Sequence, residues 1–179
     1  MNKETEKYLR SAIRDVADFP KTGIIFKDIT TLVKDPWALN ATIYEMKKYC
    51  HAKKIDKIVG IESRGFIFGS ILAQELGIGF IPIRKRGKLP AEKMTLEYEL
   101  EYGKDAIEVH KDAFTKGDNV LIVDDLLATG GTASAAAQLV ENMGASVSGL
   151  LFLVELSFLK GKSKLSKYEV HSLLRYDAE

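Results

Sequence analysis

The sequence predicts an α/β protein with a parallel-sheet core and helices on both faces of the sheet. Short apolar runs alternate along the chain with longer segments in which apolar residues recur at helical spacing. The order is strand, helix, strand, then a charged hairpin, then strand, helix, strand, which favours parallel pairing. A length of 179 residues with 46% hydrophobic content suits one domain, spanning residues 1–179, with a substantial core.

The N-terminal part predicts two helices around an irregular segment. Apolar residues at helical spacing from Leu9 to Val16 predict a first helix that ends near Asp18. Phe19-Pro20 interrupts that pattern, and residues 20–31 predict an irregular or short-strand segment. Asp35-Pro36 combines a capping acid with a proline in the first turn, so a second helix begins there.

The remaining elements predict the sheet. Strands are expected at residues 57–61 and 79–83, joined by a helix that Gly77 ends. The charged stretch 84–116 predicts a hairpin that projects from the domain. Later strands are expected at residues 119–123, 147–155 and 168–174, with a helix closed by Gly144 after the first of them.

The most informative stretch runs from Val120 to Thr132. Four branched apolar residues predict a buried parallel strand, and Asp124 and Asp125 follow at its carboxyl end. Ala128-Thr129-Gly130-Gly131-Thr132 then forms a turn before a helix, at the position where open α/β sheets bind ligands. Two carboxylates suit hydroxyls or a metal, and free N–H groups at a helix start suit a phosphate. The run therefore predicts a site for a phosphorylated sugar.

Composition argues against several other classes of protein. The net charge of +1 gives no overall attraction to nucleic acid or to an anionic membrane. A single cysteine, Cys50, excludes an internal disulfide, and the three histidines have no metal-ligand spacing. The polar N-terminus is unlike a secretory signal, and the longest apolar run, 149–154, is too short to span a bilayer. We therefore expect a cytoplasmic protein that binds neither nucleic acid nor membrane.

The run from Asp124 to Thr132 resembles the phosphoribosyl-pyrophosphate signature of the type I phosphoribosyltransferases, in the form found in members that act on adenine. Residues 19–29 resemble the family's base-binding hood, and residues 62–66 resemble its pyrophosphate loop. Residues 83–90 and 100–103 resemble the two ends of its flexible loop. The resemblance implies the type I fold, with a small N-terminal hood largely within residues 1–34 and a flexible hairpin lid at about residues 87–110.

The resemblance also implies a reaction, in which the 5-phosphoribosyl group of phosphoribosyl pyrophosphate is transferred to adenine, giving AMP and pyrophosphate. Asp124 and Asp125 are the expected catalytic pair: they would bind the ribose hydroxyls, favour positive charge on the ring, and help hold a hydrated Mg²⁺ through water. The 5-phosphate would be wrapped by the turn, which comprises Ala128, Thr129, Gly130, Gly131 and Thr132.

Two further segments are expected to contact the pyrophosphate. They contribute Glu62, Ser63 and Arg64 from one loop, and Arg84, Lys85 and Lys88 from the other. The peptide bond before the serine is often cis in this family. The resemblance implies a homodimer, in which Arg84 is a candidate to reach the neighbouring subunit's site.

The adenine site and the lid complete the expected machinery. Ile25, Phe26 and Lys27 would hold adenine, with Phe26 stacked on the purine; family members often carry arginine in place of Lys27 and proline in place of Thr22. Glu101 is a candidate catalytic residue that handles a proton on the purine, and Tyr102 is a candidate to cover the donor. Glutamate and tyrosine are also ordinary hairpin residues.

Two other functions fit the same residues. The first is a phosphoribosyltransferase for hypoxanthine or guanine, although the Phe-Pro-Lys-x-Gly-Ile-x-Phe pattern of the hood favours adenine. The second is a non-catalytic sensor of phosphoribosyl pyrophosphate, as in some transcription regulators with this fold. Such regulators carry an added DNA-binding domain, and about eighteen residues precede the hood here, fewer than that domain requires.

Overall fold

The computed structural model describes residues 1–99 and 103–178. The helices are α1 (Lys3–Ala12), α2 (Thr30–Lys34), α3 (Pro36–Cys50), α4 (Gly65–Leu76) and α5 (Gly131–Asn142). The strands are β1 (Arg14–Ala17), β2 (Ile25–Asp28), β3 (Lys57–Ile61), β4 (Gly79–Lys85), β5 (Lys93–Glu99), β6 (Lys104–His110), β7 (Asn119–Leu127), β8 (Ser146–Leu156) and β9 (Val170–Tyr176). Two 3₁₀ turns in the described chain, Ser157–Leu159 and Gly161–Leu165, connect β8 to β9.

Within these described ranges, seven strands form one sheet in the order β5-β6-β4-β3-β7-β8-β9. The five strands from β4 to β9 in this order run parallel, whereas β5 and β6 extend the edge in antiparallel pairing. The predicted parallel core and its hairpin are therefore confirmed. The hairpin does not simply project from the domain, because Arg84 and Lys85 of β4 pair with Glu108 and Ile107 of β6.

Successive side chains of the central strand β7 pack against opposite faces of the sheet. Val120 and Ile122 join the core that contains α5, whereas Leu121 and Val123 join the core that contains α3 and α4. All four are fully buried. A strand covered on both faces needs apolar residues at every position, which explains the continuous run of branched residues.

Strand β7 extends four residues past its predicted end at residue 123. Asp124 pairs with Phe152, and Leu127 pairs with Glu155, so the ladder to β8 continues through the acidic pair. The predicted boundary was wrong because it followed the end of the apolar pattern, whereas the backbone groups keep partners in β8. Asp124 and Asp125 therefore lie inside the strand and share its rigidity.

The N-terminal helix is shorter than predicted. Helix α1 ends at Ala12, and β1 pairs antiparallel with β2, with Val16 opposite Phe26. The expected end near Asp18 is wrong because pairing with β2 satisfies the backbone of residues 14–17, and Arg14 reaches Asp28 in an ion pair across the two strands. Strand pairing thus outweighs the short helical periodicity that predicted a longer helix. Val16, the last apolar residue of that periodicity, is only partly buried.

No helix in the described part of the chain is both long enough and apolar enough to span a membrane.

Candidate active site

The registers of three adjacent parallel strands bring the predicted site segments to one edge of the sheet. Ile61, the last residue of β3, pairs with Ile83 of β4, so Glu62 follows β3 at the level of Arg84, the next-to-last residue of β4. On the other side, Gly60 pairs with Val123 of β7, which places the acidic pair beside them. Carboxyl ends of parallel strands are the usual ligand sites of open α/β sheets.

The loop after β3 lies directly on the acidic end of β7. A Cβ atom at Gly65 would stand 2.7 Å from the Val123 carbonyl oxygen and 2.8 Å from Asp124 Oδ1. Glycine is therefore the residue that permits this approach of loop to strand. The Glu62-Ser63 peptide bond in this loop is cis, as is often found in the family that the sequence resembles.

The two acids have different environments. Asp125 is 4% exposed and forms an ion pair with Arg64, and its N–H donates to Asp124 Oδ1 at 2.9 Å. Burial, followed by the charge of Asp125, raises the pKa of Asp124 well above its ordinary value. Adjacent carboxylates of this kind are compensated when ribose hydroxyls or a cation arrive.

Arg64 connects the acidic pair to the hood. Its guanidinium pairs with Asp125 and lies 5.5 Å from the centre of the Phe26 ring. Phe26 in turn meets Phe19 edge-on at 5.1 Å. A single cation thus joins the carboxyl end of β7 to the predicted adenine-binding segment.

Glu62 organises the basic segment after β4. Its carboxylate accepts from Arg84 Nη2 at 3.0 Å and from the Lys85 N–H at 2.9 Å. The hydrogen bond from Arg84 is the main cause of the lowered pKa of Glu62. This carboxylate is therefore already paired, and it holds the Arg84 guanidinium and the Lys85 backbone in place.

The turn before α5 has the geometry of a phosphate site. Gly130 occupies the N-cap position with φ +76°, in the left-handed region that glycine tolerates. Helix α5 begins at Gly131, so its first N–H groups face the end of β7. Thr132 adds a hydroxyl, whose oxygen lies 3.1 Å from Tyr98 Oη of the hairpin.

A cleft of about 630 Å³ lies between these segments. Nine residues predicted from the sequence line it together: Glu62, Ser63, Arg64, Arg84, Lys85, Lys88, Asp124, Asp125 and Thr132. The backbone of Ala128, Thr129, Gly130 and Gly131 adjoins this cleft without being among its lining residues. The acids, the basic segment and the helix N-terminus therefore share one cavity of a size that suits a nucleotide.

The predicted adenine residues lie at the hood side of the cleft and do not line it. Ile25 and Phe26 are half-buried in β2. Lys27 is 7% exposed, and its ammonium pairs with Asp15 at 2.8 Å and lies 4.6 Å from the Tyr176 ring centre. The Lys27 side chain thus fastens the hood to β9, which leaves its main chain as the part that can read a base.

Glu101 and Tyr102 lie outside the described residues, so their predicted roles stay predictions. The strands on either side of them are described, and β5 reaches the first turn of α5: a Cβ atom at Gly131 would lie 3.5 Å from the Glu99 carbonyl oxygen. Residues 128–132 are here called the phosphate turn, after the ligand predicted for them. The hairpin therefore borders the phosphate turn, as its predicted role as a lid requires.

Three site residues were missed by sequence reasoning. Tyr98 and Asp105 of the hairpin line the cleft, and Tyr98 Oη lies 3.4 Å from Asp105 Oδ2. Gly161 packs against the phosphate turn from behind. The alternation of polar and apolar residues along β5 was a usable signal for Tyr98, whereas nothing local marks Gly161.

The fold and the cleft together define a class of protein. In this class, the strand ends of a parallel sheet carry an acidic pair, a basic loop and a turn that suits a phosphate. The model of the phosphoribosyl transferase domain matches residues 37–173, and the chain belongs to this family.

Two solved structures and one curated relative are similar to this chain over nearly its whole length. An adenine phosphoribosyltransferase of Clostridium perfringens is 56% identical over 169 residues, covering 94% of this chain and 98% of the relative. The crystal structure of adenine phosphoribosyltransferase from Thermoanaerobacter pseudethanolicus superposes with a TM-score of 0.93 at 52% identity, covering 95% and 99% of the two chains. That from Saccharomyces cerevisiae, complexed with adenine and an imino-altritol bisphosphate, gives 0.92 at 44% identity and covers 97% and 100%.

Proposed function

We propose that this chain transfers the 5-phosphoribosyl group of phosphoribosyl pyrophosphate to adenine, which forms AMP and releases pyrophosphate. The observation that carries this proposal is the shared cleft, in which Asp124, Asp125, Arg84, Lys85 and Thr132 come together from the carboxyl ends of two strands and the first turn of α5. The names of the relatives, and the adenine bound to the yeast enzyme, supply the acceptor base.

The acidic pair faces the sugar in this proposal. Carboxylates accept hydrogen bonds from the ribose 2- and 3-hydroxyls, and their charge favours the positive charge that develops on the ring as pyrophosphate leaves. Since Asp125 is fixed by Arg64 and by the strand ladder, the pair is positioned before substrate arrives.

The phosphates occupy two ends of the cleft. The 5-phosphate sits at the N-terminus of α5, where N–H groups, the Thr132 hydroxyl and the helix dipole favour an anion. The pyrophosphate lies against Arg64, Lys85 and Lys88, cations that line the opposite wall. Separate anion sites at both ends of one ribose place the anomeric carbon between them.

Adenine enters from the hood side. Phe26 offers a ring face near Arg64, and the main chain of β2 offers the donors and acceptors that distinguish adenine from other purines. Attack by the base nitrogen on the anomeric carbon then needs alignment of two bound substrates more than a strong acid or base.

We further propose Mg²⁺ as the cofactor. No three His, Cys, Asp or Glu side chains among the described residues cluster as a metal cage, and Asp125 is engaged by Arg64. This sparse donor set fits a cation that keeps its waters and binds mainly to the diphosphate. When bound, Mg²⁺ neutralises charge on the leaving pyrophosphate, with Asp124 and Asp125 as water-mediated partners.

We also propose a homodimer located in the cytoplasm. The basis is the family resemblance together with Arg84, whose guanidinium stands at the cleft rim and also donates to the Lys88 carbonyl at 3.1 Å. The single buried thiol, Cys50, is compatible with a reducing compartment.

The direct test is incubation of the purified chain with adenine, phosphoribosyl pyrophosphate and Mg²⁺, with detection of AMP. Parallel reactions with hypoxanthine and guanine identify the preferred base, and omission of Mg²⁺ with added chelator tests the cofactor. We expect AMP as the main nucleotide product. No nucleotide from any base, with DNA bound in a gel-shift assay, would instead support a sensor.

A further inference from the structure

The backbone at residue 161 lies immediately behind the phosphate turn. A Cβ atom built on Gly161 would stand 2.1 Å from the Ala128 carbonyl oxygen and 3.0 Å from the Gly130 nitrogen. In the reverse direction, a Cβ atom on Gly130 would stand 2.4 Å from the Gly161 carbonyl oxygen. All of these neighbours are backbone atoms, so no side-chain rotation relieves the overlap.

The segment that carries Gly161, residues 157–165, is here called the backing segment. Its first residue is tied to the end of β9, since Ser157 Oγ donates to the Tyr176 carbonyl at 2.9 Å and to the Asp177 carboxylate at 2.6 Å. Its last residue, Leu165, is fully buried in the core that contains α5. Both ends of the backing segment are therefore anchored to the body of the protein.

An ion pair between a half-exposed ammonium and a buried carboxylate holds the middle of the backing segment. Lys162 Nζ lies 2.7 Å from Glu155 Oε2, and Glu155 is 4% exposed near the end of β8. Glu155 pairs in the sheet with Leu127, the residue that precedes Ala128. The ion pair thus fixes the backing segment at the level where the phosphate turn leaves β7.

We infer that the backing segment acts as a rigid wall for the phosphate turn, and that Gly161 is a positioning residue for binding of the 5-phosphate. The inference rests on the proposed function, because it assigns the phosphate of the donor substrate to that turn. Backbone N–H groups bind a phosphate well only when their directions are fixed beforehand. Gly161, together with Gly130, lets the two backbones touch, and this contact fixes the directions of the N–H groups.

The test is the Gly161→Ala variant, assayed for KM of both substrates and for kcat. Its methyl group must displace Ala128 or Gly130, so we expect KM for phosphoribosyl pyrophosphate to rise about 10- to 100-fold, as for a lost hydrogen bond to a charged group. KM for adenine and kcat should stay within about twofold of wild type, because the acidic pair and hood are not displaced.

Gly79→Ala is the matched control. Gly79 begins β4, at the end of the strand that lies away from the cleft. The three atoms nearest to a Cβ added there all belong to the flexible Lys57 side chain, the nearest at 3.3 Å. We expect wild-type constants for it. Two results for Gly161→Ala would overturn the inference while leaving the proposed function intact. One is an equal change in KM for both substrates, and the other is an unchanged KM for phosphoribosyl pyrophosphate. An inactive wild type would instead overturn the proposed function.

Lys162 supplies a second test that does not depend on folding of the glycine variant. Lys162→Met leaves the Glu155 carboxylate buried without its partner, which should loosen the backing segment. We expect a several-fold higher KM for phosphoribosyl pyrophosphate, an unchanged KM for adenine, and restoration by Lys162→Arg. Failure of Lys162→Met to raise that constant would count against the rigid wall.

Discussion

Asp124 and Asp125 occupy neighbouring positions of β7 and yet carry different constraints. Arg64 and the ladder to β8 fix Asp125, whereas Asp124 is held beside it with a raised pKa caused first by burial and then by the charge of Asp125. A buried acid with a raised pKa opposes folding once it is ionised, because the unfolded chain ionises it more readily. The strand therefore retains Asp124 for binding at some expense of stability.

Asp124→Asn should separate these two properties. The amide keeps the oxygen that accepts from the Asp125 N–H and removes the repelling charge, so we expect Tm at pH 7 to rise by about 2–4 °C, equivalent to ~1 kcal/mol for a chain of this size. Turnover should fall strongly. Thermal melts and steady-state assays of the same preparation measure both.

The pH dependence provides the control. Since the pKa of Asp124 is raised in the folded state, its stabilising protonation is complete below the ordinary pKa of 3.8 and is lost as the pH rises through the folded value. The advantage of Asp124→Asn should therefore vanish in acid. A variant that is less stable than wild type at pH 7, or that turns over normally, would contradict the assignment.

Tyr98 is the residue through which the hairpin touches the phosphate turn. Burial raises the pKa of Tyr98, so its hydroxyl stays protonated; it can donate to Asp105 Oδ2 at 3.4 Å, and its oxygen lies 3.1 Å from Thr132 Oγ1. In the proposed function this contact holds the Thr132 side chain beside the 5-phosphate. Tyr98→Phe should raise KM for phosphoribosyl pyrophosphate about two- to tenfold, as for one neutral hydrogen bond.

Tyr44→Phe is the control for that change, since Tyr44 is 64% exposed on α3. In steady-state kinetics, the two variants should differ only in KM for phosphoribosyl pyrophosphate. Identical constants in both would mean that the Tyr98 hydroxyl has no part in donor binding.

At this scale, sequence reasoning identified residues that are adjacent in the chain. Asp124, Asp125 and Thr132 belong to one contiguous run and line one cleft, whereas the sugar phosphate that the run indicates stays a prediction. Gly161 and Tyr98 were missed because their partners lie 31 and 34 positions away, in Gly130 and Thr132, and only the folded chain brings them together.

At the scale of elements, the hood is a two-stranded ribbon fastened by charge. Arg14 of β1 pairs with Asp28 of β2, and Lys27 connects Asp15 to the Tyr176 ring. The sequence predicted a helix here because Leu9 and Ile13 do share a helical face. It could not show that the chain turns back at residues 18–24, where the next strand offers backbone partners to residues 14–17.

Acid should loosen this ribbon in a defined window. Hydrogen bonds from Thr30 and then from Arg14 lower the pKa of Asp28 to about 2. A carboxylate with a lowered pKa stabilises the folded state above its ordinary pKa of 3.8, and this contribution is lost as the pH falls through about 2. We expect Asp28→Asn to melt below wild type at pH 7 and the difference to disappear between about pH 4 and 2.

Circular dichroism melts of wild type and Asp28→Asn across that range measure the effect. Ser148→Ala, a substitution in β8 outside the hood that removes a hydrogen bond to the Lys54 carbonyl, is a control whose difference from wild type should not follow the same window. A difference for Asp28→Asn that persists unchanged to pH 2 would show that the Asp28 carboxylate does not stabilise β1 and β2.

At the scale of the whole molecule, the fold class followed from the alternation of strand and helix patterns, and the order of β3, α4 and β4 matched the sequence closely. The predicted ends of the strands were less accurate. The end of β7 was misplaced because polarity marks where burial changes, whereas hydrogen bonding to β8 marks where the strand stops. That difference matters for the proposed function, since it places the acidic pair inside a hydrogen-bonded strand.

The oligomeric state is a separate prediction at this scale. If the chain forms the expected homodimer, sedimentation equilibrium should give about twice the mass of one 179-residue chain at micromolar concentration. A fully active protein that sediments as one species with the mass of a single chain would contradict this prediction. It would show that activity requires neither a partner subunit nor a contact of Arg84 with the partner's site.

A crystal structure of the chain with bound AMP tests the central claim most directly. We expect the 5-phosphate at the N–H groups of residues 129–132, the ribose hydroxyls at Asp124 and Asp125, and the purine beside Phe26. Density for the nucleotide at another surface, with the acidic pair and the phosphate turn free of ligand, would contradict the account.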